Sequence, residues 1–473
     1  MLYRDTRDSS IQVSFREAVM RGMNPATGGL YFPVSIPKLP APFMGKNPPP
    51  SFRDTAFAAA RPFLEGEMPD GDLMAIIAAA YPFSAPVKPV DPVTYVLELF
   101  HGPTCAFKDF GARFMARVMR FFNQDEDRPL HILVATSGDT GSAVGSAFYG
   151  VEGIDVTILY PAGKISPLQE KQLSTFDGNV RSLSVEGTFD DCQKLVKTAF
   201  TDADLRKRFR LSSANSINIA RLLPQAFYYI YGALAVMGRS KRDNHIECPQ
   251  LLAVVPSGNF GNLTSGLIAR EMGAPIAGFV AATNANRTVP DWLETGEYKP
   301  RPSVLTLSNA MDVGAPSNFE RMRAMYSLEE ARKILAGFWV SDSETLEAIR
   351  SCYDSTGYIL DPHGAVGWKA WQEIRSGAMD GVLAGESLPP GKTGLRCTAE
   401  TAPDWADACV KGNCLAMILE TAHPAKFSPI VQRAGCREPV MPDRLEHVLS
   451  LPDRSVPMSA DYGAFRDWLE ANL

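Results

Sequence analysis

A lysine that could act as a nucleophile stands among apolar and turn-forming residues at the start of a predicted helix. Lys108 lies between Phe107 and Phe110, directly before Asp109. An apolar setting penalises the ammonium form, so it lowers the pKa of an amine and favours Schiff-base chemistry with a carbonyl compound. By composition alone, a lysine beside an aspartate is more commonly a solvated surface residue, so other segments must decide.

Two loops rich in small residues could present backbone N–H groups to an anion. Ser-Gly-Asn-Phe-Gly-Asn at 257–262 offers the unobstructed donors that a phosphate monoester needs at a helix N-terminus. It is neither a Walker loop nor a G-x-G-x-x-G fingerprint, and many turns of this composition bind nothing. Thr-Ser-Gly-Asp-Thr-Gly-Ser at 136–142 offers a second set of N–H and hydroxyl donors.

These loops belong to a pattern that occurs three times: an apolar run, a turn of small residues and a helix. The apolar runs are 132–135, 251–255 and 415–419, and Pro424 opens the last helix. Loops at the carboxyl ends of strands form the ligand crevice of open α/β sheets. We therefore predict an α/β fold whose site joins these three loops to Lys108.

Other segments provide the supporting elements. Apolar residues at spacings of three and four predict a helix after Lys108, and further helices are predicted near 51–63, 72–80, 188–209 and 217–237. Residues 154–160 are a predicted strand, and Ser166-Pro-Leu-Gln169 is a capping box. The pattern divides the chain into an N-terminal unit at 1–92 and αβ units at 93–235 and 236–473. Residues 378–408 are predicted to be a surface insertion or loop.

Composition narrows the class of protein. The 473 residues are 45% hydrophobic and 21% charged, with a formal net charge of −6, which disfavours binding to nucleic acid or to an anionic membrane. No apolar run reaches membrane-spanning length, and the first residues lack a signal-like apolar segment. The eight cysteines show no metal-ligand spacing and no C-x-x-C pair. We expect a cytoplasmic protein with reduced thiols and no bound metal.

The lysine segment, Leu-Phe-His-Gly-Pro-Thr-Cys-Ala-Phe-Lys-Asp-Phe-Gly at 99–111, resembles the cofactor-lysine segment of the threonine synthases, in their longer bacterial and fungal branch. The resemblance continues through both loops and through 160–171, 213–218, 282–284, 307–312 and 421–427. It implies a pyridoxal-phosphate (PLP) enzyme of fold type II, like the tryptophan synthase β chain. Such an enzyme has a small N-terminal domain, a smaller mobile lobe and a larger lobe. It would convert O-phospho-L-homoserine and water to L-threonine and phosphate as a monomer or small homo-oligomer.

The resemblance also implies roles for individual residues. Lys108 would hold PLP and shuttle protons, and Thr421 would bond the pyridine nitrogen. The PLP phosphate would bind Gly258, Asn259, Phe260 and Gly261. The substrate carboxylate and cofactor ring would meet Ser137, Gly138, Asp139 and Thr140, although an ionised Asp139 would repel the ring oxygen. The substrate phosphate needs a second anion pocket, for which the candidates are Lys164, Asn215, Ser216 and Arg221.

Two alternatives stay open at this point. One is another enzyme of the same fold type, such as a serine or threonine dehydratase or a β-replacing synthase, which would need no second phosphate pocket. The other is a catalytically silent homologue that binds PLP for regulation. Loss of the lysine or of a glycine-rich loop would mark the silent homologue. This sequence retains the lysine and both loops.

Overall fold

Two mainly parallel β-sheets carry the loops that the sequence predicts to form the site. The computed structural model describes residues 1–243, 249–386 and 392–473. A third, antiparallel sheet belongs to the N-terminal part of the chain, and helices cover the sheets. No helix within these ranges is both long and apolar enough to cross a membrane.

The small sheet has five strands, all parallel to their neighbours. In spatial order they are Val456–Ser459, Val180–Glu186, Ile154–Pro161, Leu130–Ala135 and Arg210–Ser213. Strand Leu130–Ala135 is buried along its whole length and leads through the first loop into helix Asp139–Phe148. The predicted strand–turn–helix unit at 132–142 is therefore confirmed.

The large sheet has seven strands, of which the five central ones are parallel and the two at the edges are antiparallel. In spatial order they are Gly394–Arg396, Leu335–Trp339, Gly278–Thr283, Gln250–Pro256, Cys414–Glu420, Thr94–Glu98 and Val87–Pro89. Strands Gln250–Pro256 and Cys414–Glu420 are direct neighbours, so the second and third predicted loops emerge side by side. The helix opened by Pro424 begins as a 3-10 turn, Pro424–Phe427, and continues as Ser428–Arg433.

The N-terminal unit combines a small antiparallel sheet with helices. Its strands, in spatial order, are Gln12–Val13, Tyr3–Asp5 and Tyr31–Pro33. Ser14 and Glu17 form a capping box at the start of the first helix, which ends where Gly22 takes a positive φ of 71°. Arg321 attaches this unit to the rest of the chain, since its buried guanidinium donates to the Tyr31 carbonyl and to the carbonyl of Ser216.

The helices follow their predicted positions, with breaks that the apolar pattern did not show. The α-helices are Phe15–Arg21, Ala41–Met44, Phe52–Leu64, Asp70–Ala80, Lys108–Asn123, Asp139–Phe148, Pro167–Ser174, Phe189–Thr201, Ala203–Arg208, Ile219–Leu222, Gln225–Asp243, Gly261–Glu271, Thr288–Thr295, Phe319–Met325, Leu328–Ile334, Asp342–Thr356, Pro362–Glu373, Met379–Leu383, Ala406–Val410, Ser428–Arg433, Asp443–Leu449 and Tyr462–Asn472. The helix predicted at 188–209 is interrupted at Asp202, whose side chain caps a second helix. The helix predicted at 217–237 is interrupted at Pro224, which cannot donate a backbone hydrogen bond.

Two predictions need correction. Cys409 and Cys414 form a disulfide, so the expectation of reduced thiols is wrong for this pair. The region 378–408 is not a plain surface loop: strand Gly394–Arg396 lies at the edge of the large sheet, and the Trp405 side chain is buried. Residues 387–391 of that region lie outside the described residues.

Sheet membership crosses the predicted boundaries between the two αβ units. Strand Thr94–Glu98, on the N-terminal side of Lys108, belongs to the large sheet, whereas strand Val456–Ser459 belongs to the small sheet. The large sheet also includes strand Val87–Pro89, from the predicted N-terminal unit. The boundaries at 92 and 235 stay predictions.

Candidate active site

A cavity of about 610 Å³ collects the loops from both sheets. Twelve of the fourteen residues that the sequence singles out line it: Lys108, Ser137, Asp139, Thr140, Asn215, Ser216, Arg221, Gly258, Asn259, Phe260, Gly261 and Thr421. Gly138 and Lys164 do not line it. Among the described residues, no group of three or more His, Cys, Asp or Glu side chains could hold a metal ion.

Lys108 is the first residue of helix Lys108–Asn123 and points into this cavity with 14% of its side chain exposed. The backbone before it is fixed, because the N–H of Phe107 donates to the Thr421 carbonyl at 2.8 Å. Burial lowers the pKa of Lys108; Asp139 opposes that shift, whereas the positive charges of Lys426 and Arg221 add to it. The Lys108 ammonium thus loses its proton more readily than that of a solvated lysine, which is what a nucleophilic amine requires.

Asp139 is the first residue of helix Asp139–Phe148 and is almost completely buried. Its Oδ1 lies 2.5 Å from Lys426 Nζ and accepts a hydrogen bond from Gln169 Nε2 at 2.9 Å. Its Oδ2 lies 3.7 Å from Lys108 Nζ. Burial alone would raise the pKa of Asp139, but Lys426 and Lys108 hold that pKa well below its ordinary value. The carboxylate is therefore ionised, and its charge is compensated chiefly by the ammonium group of Lys426.

The second loop leads into helix Gly261–Glu271 and leaves several backbone donors without a partner. The N–H groups of Gly258, Asn259 and Phe260 donate to no acceptor within the described ranges. Phe260 takes a left-handed conformation, with φ 59° and ψ 11°, which is uncommon for a residue with a side chain and is typical of ligand-binding turns. This arrangement could hold a phosphate group.

Side chains behind the second loop hold its shape. The amide side chain of Asn259 donates to Ser216 Oγ at 2.7 Å and accepts from the Ser317 N–H at 2.6 Å. Asn318 Nδ2 donates to the Asn259 carbonyl. Gly258 lies so close to the next segment that a Cβ there would be 2.6 Å from the Cα of Met311, so only glycine fits.

Comparison with known proteins identifies the family. The pyridoxal-phosphate dependent enzyme family matches residues 83–382, the threonine synthase N terminus family matches 2–81, and the threonine synthase C-terminal family matches 402–468. The chain is 42% identical to the threonine synthase of Haemophilus influenzae, over 97% of each chain, and 39% identical to that of Escherichia coli, also over 97% of each. The chain belongs to the threonine synthase family.

Solved structures give the same result. The crystal structure of Escherichia coli threonine synthase superposes with a TM-score of 0.83 at 37% identity and covers 100% of both chains. The PLP-bound threonine synthase of Brucella melitensis superposes with a TM-score of 0.81 at 32% identity, covering 100% of this chain and 99% of that one. The fold-type-II architecture with its threonine synthase N-terminal domain is therefore confirmed, and so is the prediction of a PLP-dependent enzyme.

In the first loop of this threonine synthase family member, one side chain binds two of the backbone amides. Thr136 Oγ1 accepts hydrogen bonds from the N–H groups of Gly138 at 3.0 Å and Gly141 at 2.8 Å. Gly138 has a φ of 127°, and a Cβ there would lie 2.8 Å from the side chain of Gln169. Ser137 and Thr140 are half-buried on the cavity wall, where their hydroxyl groups could meet a substrate carboxylate.

Of the four residues predicted to bind the substrate phosphate, three line the cavity and Lys164 does not. Arg221 is buried on the cavity wall; its Nη1 donates to the Ala214 carbonyl at 2.7 Å, and its Nε has no described partner. Burial lowers the pKa of Arg221 to about 10. Asn215 Oδ1, in the same wall, is also without a described partner. Lys164 is exposed and outside the set of described residues that line the cavity.

Sequence reasoning missed three cations that line the same cavity. Lys194 and Lys197 project from helix Phe189–Thr201, three residues apart and both exposed. Arg301 also lines the cavity but pairs with Asp291 at 2.6 Å. The helix was predicted, but no motif marks its lysines as part of a site.

Thr421 and His363 lie on the cavity wall beside Lys108. Thr421 Oγ1 makes no hydrogen bond to a described residue, and His423, not Thr421, caps the turn at Pro424 through its Nδ1. His363 lies in the first turn of helix Pro362–Glu373. Its Nδ1 is 2.5 Å from Asp361 Oδ1 and its Nε2 accepts from the Ala310 N–H, so both ring nitrogens are engaged.

Lys426 and Gln169 are the two further residues that sequence reasoning did not assign to the site. Lys426 stands inside the segment 421–427 that carries the family resemblance, but its position in the sequence gives no sign of contact with Asp139. Gln169 is the last residue of the predicted capping box, and the structure confirms that box at Ser166. The cap explains the helix, whereas the contact of Gln169 with Asp139 could not be read from it.

Proposed function

We propose that this chain converts O-phospho-L-homoserine and water to L-threonine and phosphate, with PLP held at Lys108. One observation carries the assignment: a largely enclosed lysine with a lowered pKa and a set of backbone donors without described acceptors at a helix N-terminus line the same cavity. The threonine synthase family membership supports the reaction and disfavours both the dehydratase and the silent-homologue alternatives.

The residues present fit PLP. The Lys108 amine would hold it covalently, the free N–H groups of Gly258, Asn259 and Phe260 would bind its phosphate together with Gly261, and the unpartnered Thr421 hydroxyl could donate to the ring nitrogen. When bound, PLP supplies an electron sink for charge that develops on the substrate. Thr421 offers that nitrogen a neutral hydroxyl and not a carboxylate, so the ring nitrogen gains no ionic partner there.

The chain's own groups carry the remaining tasks. Lys108 removes and returns protons at the α, β and γ carbons of the substrate, because its amine lies in the cavity and is biased toward the unprotonated form. Ser137 and Thr140 orient the substrate carboxylate. The loops from the two sheets enclose the cavity, which limits the access of bulk water before one water molecule adds at the β carbon.

The substrate phosphate would bind on the wall formed by Arg221, Asn215 and Ser216, with Lys194 and Lys197 at its exposed side. Arg221 carries a buried charge with an unused Nε donor, and the Asn215 amide could donate through Nδ2, whose bond to the Ala135 carbonyl is long at 3.5 Å. Charged hydrogen bonds to phosphate contribute more than neutral ones. A role for Lys164 stays a prediction, as do the cytoplasmic location and the oligomeric state.

A direct experiment combines turnover with covalent attachment. Purified protein is reconstituted with PLP, supplied with O-phospho-L-homoserine, and assayed for phosphate and L-threonine. Lys108→Ala should abolish turnover and also the borohydride-dependent attachment of cofactor detected by mass spectrometry. The exposed substitution Lys207→Met serves as the matched control. Equal activity on unphosphorylated homoserine or serine would favour the dehydratase alternative, and full turnover in Lys108→Ala would refute the assignment.

A further inference from the structure

The carboxylate of Asp139 lies between two lysines that come from distant parts of the chain. Lys426 Nζ is 2.5 Å from Oδ1, and Lys108 Nζ is 3.7 Å from Oδ2. The Lys426 side chain is completely buried and does not line the cavity, whereas the Lys108 side chain does. Two amine positions therefore share one carboxylate, and of these two lysines only Lys108 can meet a ligand.

The oxygen that faces away from Lys108 is fully engaged. Oδ1 of Asp139 contacts Lys426 and accepts a hydrogen bond from Gln169, which is itself fixed at the start of helix Pro167–Ser174. Lys426 is held in turn, because its Nζ also donates to the Thr104 carbonyl at 3.2 Å. These contacts fix the rotation of the carboxylate and leave Oδ2 as the oxygen turned toward Lys108.

We propose that Lys426 is a positioning residue, which clamps one oxygen of Asp139 so that the other faces Lys108 without closing a full ion pair with it. The proposal rests on the proposed function only in taking Lys108 as the reacting amine. Lys426 touches neither the cavity nor the reacting atoms and acts through Asp139.

The contact between Lys426 and Asp139 affects how readily Lys108 is protonated. If Lys426 were absent, Lys108 would be the only cation in contact with a buried carboxylate, and that carboxylate would favour the ammonium form of Lys108. With Lys426 in place, its ammonium group already compensates the charge of Asp139 and repels a second positive charge on Lys108. The other charged or titratable groups that face these two lysines are Arg221, Asp109 and Cys105. Burial and the charges of Lys426 and Arg221 lower the pKa of Lys108, in agreement with the geometry.

The test measures the titration of Lys108 in the complete, cofactor-free chain. Each variant is treated with limiting acetic anhydride across a series of pH values, and acetylation of Lys108 is quantified by mass spectrometry of its peptide. In Lys426→Met the midpoint should rise by about one pH unit, because a repelling charge is removed and Asp139 is left to Lys108 alone. Lys108 acetylation below the midpoint should then fall about tenfold. Lys426→Arg should restore the wild-type midpoint, and Lys207→Met should not alter it.

An unchanged midpoint in Lys426→Met would overturn the proposal, and so would an equal shift in Lys426→Arg. If Lys426→Met does not fold, Gln169→Met takes its place, since it removes the neutral half of the clamp and should raise the midpoint in the same direction by less. No shift in Gln169→Met would then overturn the proposal. Because the measurement uses neither substrate nor cofactor, it can fail while turnover of O-phospho-L-homoserine succeeds, and the reverse.

Discussion

In the loop at 136–141 the Thr136 hydroxyl binds two of the backbone amides, whereas in the loop at 257–261 three successive amides have no described acceptor. Thr136 Oγ1 accepts from Gly138 and Gly141 in the first loop. In the second loop, the N–H groups of Gly258 and its two successors donate to no described acceptor. Both loops join a buried parallel strand to a helix through small polar residues.

The difference shows that one sequence pattern can serve two electrostatic purposes. The first loop places a carboxylate, Asp139, at its helix N-terminus, so that position already contains its anion. The second loop has no acidic residue in its first helical turn and keeps its donors available for an anion from outside. Substitutions in the first loop should therefore act mainly on stability, and substitutions in the second mainly on cofactor affinity.

The largest expected effect belongs to the first loop. Asp139→Asn leaves the buried ammonium of Lys426 without a counterion, which typically costs about 3–5 kcal/mol. The unfolding free energy of the cofactor-free chain, measured by urea denaturation, should fall by that amount. Asp453→Asn, which removes an exposed partner of Lys171, is the matched control and should cost at most about 1 kcal/mol. Equal losses in the two variants would contradict the comparison.

Thr136→Val should also destabilise the chain, because it removes the acceptor of two buried amides. Leaving a buried polar group unsatisfied costs about 1–3 kcal/mol for each group. Urea denaturation should show this loss, while PLP titration of the folded variant should give nearly the wild-type dissociation constant. A large loss of PLP affinity without loss of stability would assign the anion-binding role to the first loop.

Gly258→Ala should have the opposite effect to Thr136→Val, weakening PLP binding more than it lowers stability. Its Cβ would meet the backbone of Met311, so the loop must shift and its free amides would no longer converge. We expect the dissociation constant for PLP, followed by cofactor absorbance, to rise at least about tenfold, or about 1.4 kcal/mol. Gly71→Ala, where the added Cβ meets no neighbouring atom, is the control. Unchanged affinity in Gly258→Ala would remove the second loop from the cofactor site.

A smaller effect is expected for Asn259→Ala. It removes the side-chain contacts with Ser216 and Ser317 but leaves the backbone donors in place. A net loss of about 1 kcal/mol corresponds to roughly fivefold weaker PLP binding. If PLP affinity falls more in Asn259→Ala than in Gly258→Ala, the supporting side chains contribute more to PLP binding than the backbone donors do.

The smallest effect concerns pH. The pKa of Asp139 in the folded chain is below its ordinary value, so its ionised form stabilises the fold at pH values above the unfolded-state pKa, about 3.9. The stability difference between wild type and Asp139→Asn should therefore be constant from pH 5 to 7. It should shrink only as the pH falls below about 4. Denaturation at a series of pH values tests this, and a difference that shrinks between pH 7 and 5 would contradict it.

Local sequence signals predicted the elements that carry the site. Apolar runs followed by small residues located all three crevice loops, and the capping box located the helix at Ser166. Lys108 stood out because its own neighbours are apolar. These features depend on residues a few positions apart, which is the range over which periodicity and capping act.

The parts that escaped prediction depend on contacts between distant residues. Lys426 meets Asp139 only after the large and small sheets come together. Trp405 is buried against strands that lie far from it in the sequence, so its region was predicted to be a surface loop. The break at Asp202 was hidden because an apolar pattern can continue through a capping residue that starts a new helix.

The strand at Val456–Ser459 has a consequence for how the chain folds. It pairs with Val180–Glu186 and so completes a sheet whose other strands are all found before residue 214. During synthesis, strand Val180–Glu186 therefore keeps an unpaired edge until every strand of the large sheet has been made. Unpaired edges are templates for association with other chains, and long-range pairing slows folding. The small sheet is thus exposed to misassembly until its last strand arrives.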